Sequence, residues 1–287
     1  MSDRPSWIKV RAPTAAEAEE MRGVRDVLRR HRLTTICQGA LCPNAVECWG
    51  ARTATFLLLG DTCTRTCRFC GVPTGDPRGA VDEDEPKRIA NAVEELGLRY
   101  VVLTSVDRDD LPDGGSGLFA ATIRRVLQTH TETRVEALIP DFCGHTGDVE
   151  AILDTSPDVV AHNIETVRRL TPTLRDRRAG YEQSLSVLEY ISRHGKSIGV
   201  KSGLMLGLGE TPSEVDETLR DLHAAGVRIV TIGQYLRPTS QAAPVERFVP
   251  PDEFEQIAER ARAIGFSAAI AGPLVRSSYH AAEAFGA

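Results

Sequence analysis

Six short apolar runs separated by amphipathic stretches constrain this chain more than any other feature. They are TFLLLG (55–60), RYVVLTS (99–105), RVEALIP (134–140), PDVVAHN (157–163), IGVKSGLML (198–206) and VRIVTIGQY (227–235). A short, continuous apolar run is what a strand buried on both faces requires. Between the runs, apolar residues recur at helical spacing. Ile89, Val93 and Leu96 share a face, and Gly97 closes that helix. Phe119, Ile123 and Val126 repeat the pattern, as do Val149, Ile152 and Leu153, and then Tyr181, Leu185, Leu188 and Ile191. Thr211-Pro212-Ser213-Glu214 reads as a capping box with proline at the first helical position, ahead of Val215, Leu219 and Leu222. A last helix carries Phe254, Ile257, Ala261 and Ile264 and stops at Gly265. Six strand–helix units in a row imply an α/β fold with a parallel sheet and right-handed crossovers. Periodicity alone leaves an open doubly wound sheet and a partial barrel both open. Either architecture collects its chemistry at the C-terminal ends of the strands.

Residues 1–50 differ in kind and read as an N-terminal extension. Ala15–Arg32 has helical character and ends in the basic run RDVLRRHR, the pattern of a solvated helix face. The first residues contain no apolar signal core, and no stretch approaches the roughly 18 uninterrupted apolar residues of a membrane span. Neither secretion nor membrane insertion is expected, and the location should be cytoplasmic. Aromatic residues make up only 5% of the 287, so the core must rest on Leu, Val, Ile and Ala. The formal charge of -6 argues against a nucleic-acid or anionic-membrane partner. In a reducing compartment seven cysteines, an odd number, are more readily ligands than disulfides.

Six of the seven fall into two triplets. Cys63-Thr-Arg-Thr-Cys67-Arg-Phe-Cys70 follows the first strand directly. Three thiolates on one tight loop suit three corners of a [4Fe–4S] cluster, leaving one iron open to bind a substrate or cofactor. A structural zinc site would want a fourth ligand, and ferredoxin-type carriers use four cysteines per cluster. The other set, earlier in the chain, is Cys37-x4-Cys42-x5-Cys48, and it is also one ligand short. Two separate clusters use these thiols better than one pooled site; the alternative is zinc completed by a histidine such as His31. Cys143, in PDFCGH, has no partner at ligand spacing and receives no function.

The order C-x4-C-x5-C, then C-x3-C-x2-C, resembles the lipoyl synthase family of radical S-adenosylmethionine (SAM) enzymes. Further words carry the resemblance from about Cys37 to Ala281: CPNAVECW (42–49), VDRDDLPDGG (106–115), HNIETV (162–167), KSGLMLGLGET (201–211), TIGQYLRP (231–238) and GPLVRSSYHA (272–281). The resemblance implies a partial (β/α)6 barrel over 53–265, a cluster-binding extension over 1–52 and a closing segment over 266–287. It implies that Cys63, Cys67 and Cys70 hold the cluster that chelates SAM. Cys37, Cys42 and Cys48 would hold an auxiliary [4Fe–4S] cluster, with a serine of Arg276-Ser277-Ser278-Tyr279 as fourth ligand, Ser278 being favoured. The implied reaction inserts two sulfur atoms, at C6 and C8 of an octanoyl chain amide-linked to a lysine of a lipoyl carrier domain. No side-chain base can deprotonate such carbons, so a radical derived from SAM removes a hydrogen atom. The auxiliary cluster gives up the sulfur, at two SAM per lipoyl group. The partners implied are the octanoylated lipoyl domain of a 2-oxoacid dehydrogenase or the glycine cleavage carrier protein, and a reduced ferredoxin- or flavodoxin-type donor.

Weaker carry-over concerns the SAM pocket. Gly203-Leu-Met-Leu-Gly207-Leu-Gly-Glu210 resembles the strand that supports the adenosine of SAM, or is simply a glycine-rich strand end and turn. Glu165 and Lys201 are ionisable groups in or near buried strands, and either SAM or a mutual ion pair would partner them. Asp107, Asp109 and Asp110 shape a loop near SAM or form an ordinary acidic loop. Arg168, Arg169, Arg175, Arg177 and Arg178 are expected either to steer an acidic carrier domain or to pair with Glu165, Asp176 and Glu182. ALCPN, AVECW and QAAPVERF depart from the family's wording, which leaves open a paralogue acting on a different carrier.

Overall fold

A computed structural model describes residues 4–9, 12–39, 42 and 44–279. Ala40, Leu41 and Pro43, beside the first cysteine triplet, and His280 and Ala281, after RSSY, lie outside the described residues. The elements in chain order are α1 (Ala15–Arg30), β1 (Thr34–Thr35), α2 (Ile36–Gly39), α3 (Ala45–Gly50), β2 (Thr53–Leu58), α4 (Glu85–Glu95), β3 (Tyr100–Ser105), α5 (Ser116–Thr129), β4 (Arg134–Leu138), α6 (Thr146–Leu153), β5 (Val159–Ala161), α7 (Thr171–Leu174), α8 (Tyr181–His194), β6 (Gly199–Leu206), α9 (Pro212–Ala224), β7 (Ile229–Gln234), α10 (Pro251–Ile264) and β8 (Ala268–Gly272). The strands are ordered as they occur along the chain.

All six expected strands are present. Two were not expected. β1 pairs antiparallel with β2, and β8 pairs in parallel with β7. Neither declares itself in sequence: β1 has only two residues, and AAIAG carries too little apolar bulk to read as a buried strand. The capping box at α9 forms as read, with the Thr211 hydroxyl accepting from the Glu214 N–H and the Glu214 carboxylate accepting from the Thr211 N–H.

The chain forms two compact units. The first contains Ala12–Arg65 and Val72–Val160. There β2, β3 and β4 run parallel, with Thr53 opposite Tyr100 and Tyr100 opposite Arg134. Every residue of β2 is buried, and Phe56, Val101, Val102, Leu103, Val135 and Ala137 are sealed from solvent. At about 25 cal/mol per Å² of apolar surface, this is the main favourable term. Parallel pairing brings the loops after β2, β3 and β4 to one edge of the sheet. These loops are the second cysteine motif, the DRDD word and the Asp141–Cys143 turn. The second unit contains Met1–Arg11, Thr66–Gly71 and Ala161–Ala287, so far as these are described. Here β6, β7 and β8 are parallel, and the loops after them hold Gly207–Glu210, Tyr235 onward and the RSSY word.

Candidate metal centre and cofactor site

The second cysteine motif begins where β2 ends. Leu59 and Gly60, both at positive φ, turn the chain out of the sheet. The Leu59 N–H donates to the Glu85 carboxylate at 2.9 Å, and its carbonyl accepts from the buried Arg108 guanidinium at 3.1 Å. Cys63 is fixed by its backbone: its N–H donates to the Pro73 carbonyl, and its carbonyl accepts from the Gly75 N–H. The next residues are held through side chains. The Thr64 hydroxyl donates to Asp109 at 2.9 Å. Arg65, only 4% exposed, sends its guanidinium to Asp109 and Asp141, with Asp107 at 3.2 Å. Burial pushes the Asp109 carboxyl up, but its contacts with Arg65 outweigh this and hold it at about 2. The Arg65 N–H lies 3.4 Å from Cys63 Sγ, as a donor to sulfur.

The other half of the motif belongs to the second unit. The Thr66 N–H and hydroxyl both donate to Asp176 Oδ2 at 3.0 Å. The Asp176 N–H donates to Cys67 Sγ at 3.3 Å, and Arg178 holds the Asp176 carboxyl well below the usual range. The Cys70 N–H closes a turn onto the Cys67 carbonyl. All three spacer residues between Cys63 and Cys67 are therefore anchors. Sequence reading missed this, as it missed Arg65 and Asp141, and it offered Asp176 only as a partner for the arginines. The available signal was a charged residue between two ligands, which needs a partner if buried. The DRDD word is likewise resolved as anchorage: Asp107 and Asp109 hold Arg65, and Asp110 holds Arg108 and accepts from the Gly79 N–H.

Cys37, Cys42 and Cys48 lie in the first unit on α2, α3 and the segment between them. The Cys42 N–H donates to the Cys37 carbonyl at 3.0 Å and the Cys48 N–H to the Asn44 carbonyl at 2.9 Å. Burial first, then Cys42 and Cys37, push the Cys48 thiol up to about 12, and burial and Cys42 likewise raise Cys37. The buried Trp49 indole N–H makes no hydrogen bond at normal geometry, though it lies near enough to Cys37 to ease ionisation of that thiol.

These donor sets fit iron–sulfur clusters. Thiolate is the soft ligand such clusters take. In the first triplet, thiols that oppose one another's ionisation would be relieved by a metal centre, and the orphaned indole N–H would find an acceptor in sulfur. In the second, two sulfurs already accept backbone N–H groups, which favours thiolate. Among the described residues, no group of three or more His, Cys, Asp or Glu converges as a site for a single metal ion. The seven cysteines form no disulfide.

The remaining candidates lie in the second unit. Glu165 sits just beyond β5 at φ +67, bridged to Leu204 of β6. Its carboxylate accepts from the Asn163 amide, which also donates to Ser277 Oγ at 2.9 Å. Gly203 makes room for that amide, since a Cβ there would stand 2.6 Å from Asn163 Oδ1. Ser278 is half-buried. Lys201 is 1% exposed and lies near the start of β6. Leu204, which Glu165 faces, is three residues further along, about 10 Å of strand. Glu210 accepts from the Gly207 and Leu208 N–H groups and closes the turn after β6. Gln234 plays a similar part, donating to the carbonyls of Leu206, Tyr235 and Arg247.

The arginine patch is mostly internal pairing rather than free surface charge. Arg168 pairs with Glu182 and Asp221 and lies over the Tyr181 ring, and Arg169 pairs with Glu214. Arg175 is buried against the Ser184 hydroxyl, Arg178 pairs with Asp176, and Arg177 is exposed. Of the expected partners, Asp176 and Glu182 do pair with these arginines, and Glu214 and Asp221 join them. No helix among the described residues is long and apolar enough to cross a membrane.

The Radical SAM superfamily model matches residues 57–222. A lipoyl synthase from Thermus thermophilus is 53% identical over 283 residues, 99% of this chain and 87% of that protein. One from Pyrobaculum arsenaticum is 54% identical over 287 residues, 99% and 96% respectively. The crystal structure of methylornithine synthase aligns with a TM-score of 0.53 over 89% of this chain and 85% of that one; at 11% identity this likeness concerns the fold alone.

Proposed function

Because the chain belongs to the lipoyl synthase family of the radical SAM superfamily, we infer that it is a lipoyl synthase, which attaches two sulfur atoms to C6 and C8 of a carrier-bound octanoyl chain. The observation that carries this reading is identity above half across nearly the full length, in a chain that keeps both cysteine triplets and RSSY. The family brings a [4Fe–4S] cluster and SAM. Together these supply, when bound, the one-electron chemistry that takes a hydrogen atom from an unactivated carbon.

Cys63, Cys67 and Cys70 are the residues for the SAM-binding cluster. The N–H groups of Arg65 and Asp176 aimed at Cys63 and Cys67 support this assignment. Cys37, Cys42 and Cys48 hold an auxiliary cluster, completed by Ser278. Asn163 already engages the neighbouring Ser277, which supports Ser278 as the ligand. A hard serine oxygen is a poor match for such iron and would leave readily as sulfur is given up. Glu165 contacts SAM, oriented by Asn163; Lys201 serves the same pocket from inside its strand. Two SAM are used per lipoyl group. Residues 1–52, 53–265 and 266–287 divide the work into auxiliary ligands, barrel and closing segment. The carrier is the lipoyl domain of a 2-oxoacid dehydrogenase or the glycine cleavage protein, the electron donor is a ferredoxin or flavodoxin, and the setting is cytoplasmic, where ligand thiols stay reduced.

The test is anaerobic incubation of the reconstituted protein with SAM, a reductant and an octanoyl-lysine peptide, read by mass spectrometry. Peptide carrying two sulfur atoms is expected. Unmodified peptide beside accumulating 5′-deoxyadenosine would remove the sulfur-insertion reading while leaving SAM cleavage standing.

A further inference from the structure

We propose that Trp49 and Thr55 are positioning residues for the auxiliary centre: the indole N–H and the threonine hydroxyl donate to the sulfur of Cys37 and ease the uptake of an electron by the cluster it holds. The proposal rests on Cys37, Cys42 and Cys48 being ligands of that cluster and on the cluster being the sulfur donor.

Three elements of the first unit meet at Cys37. β1 ends at Thr35, which pairs with Phe56 of β2, and α2 starts at the next residue. Cys37 therefore lies two residues beyond that pair, beside Thr55, the residue before Phe56. The Thr55 N–H and hydroxyl are both within reach of the Cys37 sulfur and favour its ionised form. Trp49 comes from α3, where it directly follows Cys48. Its indole N–H also favours the ionised form of Cys37. A strand and a helix thus aim donors at one sulfur. All three residues are nine-tenths buried or more, at 9% exposure for Cys37, 8% for Trp49 and 4% for Thr55. Water does not compete for these donors.

The indole N–H is the group that points to a ligand. It is sealed from solvent and has no acceptor at hydrogen-bond geometry. A buried tryptophan N–H ordinarily finds a partner, and leaving it without one is costly. A ring used only for packing has no need of that N–H. A protonated thiol is a weak acceptor, whereas a thiolate carries charge and takes charge-assisted hydrogen bonds. The donor is therefore misplaced beside a thiol and well placed beside a ligand to iron. The electron count gives it a use. When a substrate carbon radical bonds to a sulfide, the carbon supplies one electron and the sulfide a pair. Two electrons make the C–S bond, and the third passes to the irons. Hydrogen bonds to the sulfurs are determinants of cluster potential. Donors at Cys37 draw off negative charge, so the centre accepts that third electron more readily.

The experiment is an EPR-monitored redox titration of the full-length, two-cluster protein. It follows the cluster signal that does not respond to SAM, with the SAM-responsive signal as internal control and iron content measured in parallel. Trp49→Phe keeps an aromatic ring and removes the N–H. Thr55→Val keeps the shape and removes the hydroxyl. Each should retain iron and lower the reduced-to-oxidised ratio of the auxiliary centre at fixed poise by about three- to tenfold, a shift of roughly 28–59 mV to more negative values for one electron. The SAM-responsive midpoint should stay where it is. An unmoved midpoint in either folded variant, or an equal shift at both clusters, overturns the proposal. If Trp49→Phe does not fold, Thr55→Val decides it. Loss of the auxiliary centre from both variants would mean packing rather than hydrogen bonding, and overturns it too. Cys37→Ala tests the premise separately: an undiminished auxiliary signal there means the ligand assignment has failed, whatever Trp49 and Thr55 do.

Discussion

The two cysteine triplets are built on different principles. Cys63, Cys67 and Cys70 sit on a loop whose spacers are fastened by carboxylates, and two of whose sulfurs accept N–H groups before any metal arrives. Cys37, Cys42 and Cys48 are fastened by short backbone hydrogen bonds, and the Cys37 and Cys48 thiols are pushed toward the neutral form by burial and by neighbouring cysteines. One loop carries backbone N–H donors to two of its sulfurs; in the other, burial outweighs the hydrogen-bonding groups of Thr55 and Trp49 beside Cys37. Under the roles proposed for the two triplets, the contrast would suit a centre that persists through many turnovers and one that is dismantled in each.

The largest expected effect separates their roles. Replacing Cys63, Cys67 and Cys70 together by Ala should halve a reconstituted content of about eight irons and abolish 5′-deoxyadenosine formation. The same change at Cys37, Cys42 and Cys48 should halve the iron too, yet leave 5′-deoxyadenosine and stop sulfur insertion. Lipoyl product from the second variant would falsify the division of labour.

Next in size is metal removal. Chelation should raise hydrogen exchange more in residues 34–50 than in residues 61–71, because only the former relies on metal to offset its thiols. Equal loss of protection in both segments would dissolve the comparison.

Anchorage itself can be measured. Asp176→Ala strips Thr66 of two hydrogen bonds and removes one carboxylate paired with Arg178. Denaturant unfolding should report a loss of about 1–3 kcal/mol, and residues 66–70 should exchange faster while 34–50 do not change.

The smallest effect is in pH. Asp109 is held at about 2 in the folded chain, below the roughly 3.9 of an unfolded aspartate. A depressed carboxyl contributes stability that is present above the unfolded value and lost as pH falls toward the folded one. The difference in unfolding free energy between the parent and Asp109→Asn should therefore be constant above about pH 5 and shrink between about pH 4 and 2. A difference that persists undiminished to pH 2 would mean Asp109 acts by shape rather than charge.

Much of this molecule is determined by local sequence. Continuous apolar runs such as TFLLLG and VRIVTIGQY have only one way to bury both faces, so β2 and β7 were legible, as was α9 from its capping box. Cysteine spacing is chemistry written along the chain, and it singled out two triplets as candidate ligand sets. What the tertiary structure alone decided is pairing at a distance. Arg65 meets Asp141 across 76 residues because parallel strands bring their exits to one edge. For the five-arginine stretch the sequence left steering and local pairing both open, and it gave no sign of Glu214 and Asp221, partners from far along the chain. β8 is a strand because β7 offers it an edge, not because AAIAG prefers extension. Local preference is set by neighbours within a few residues, whereas the partner of a buried charge or of a weak strand is chosen by topology, which no window of sequence contains.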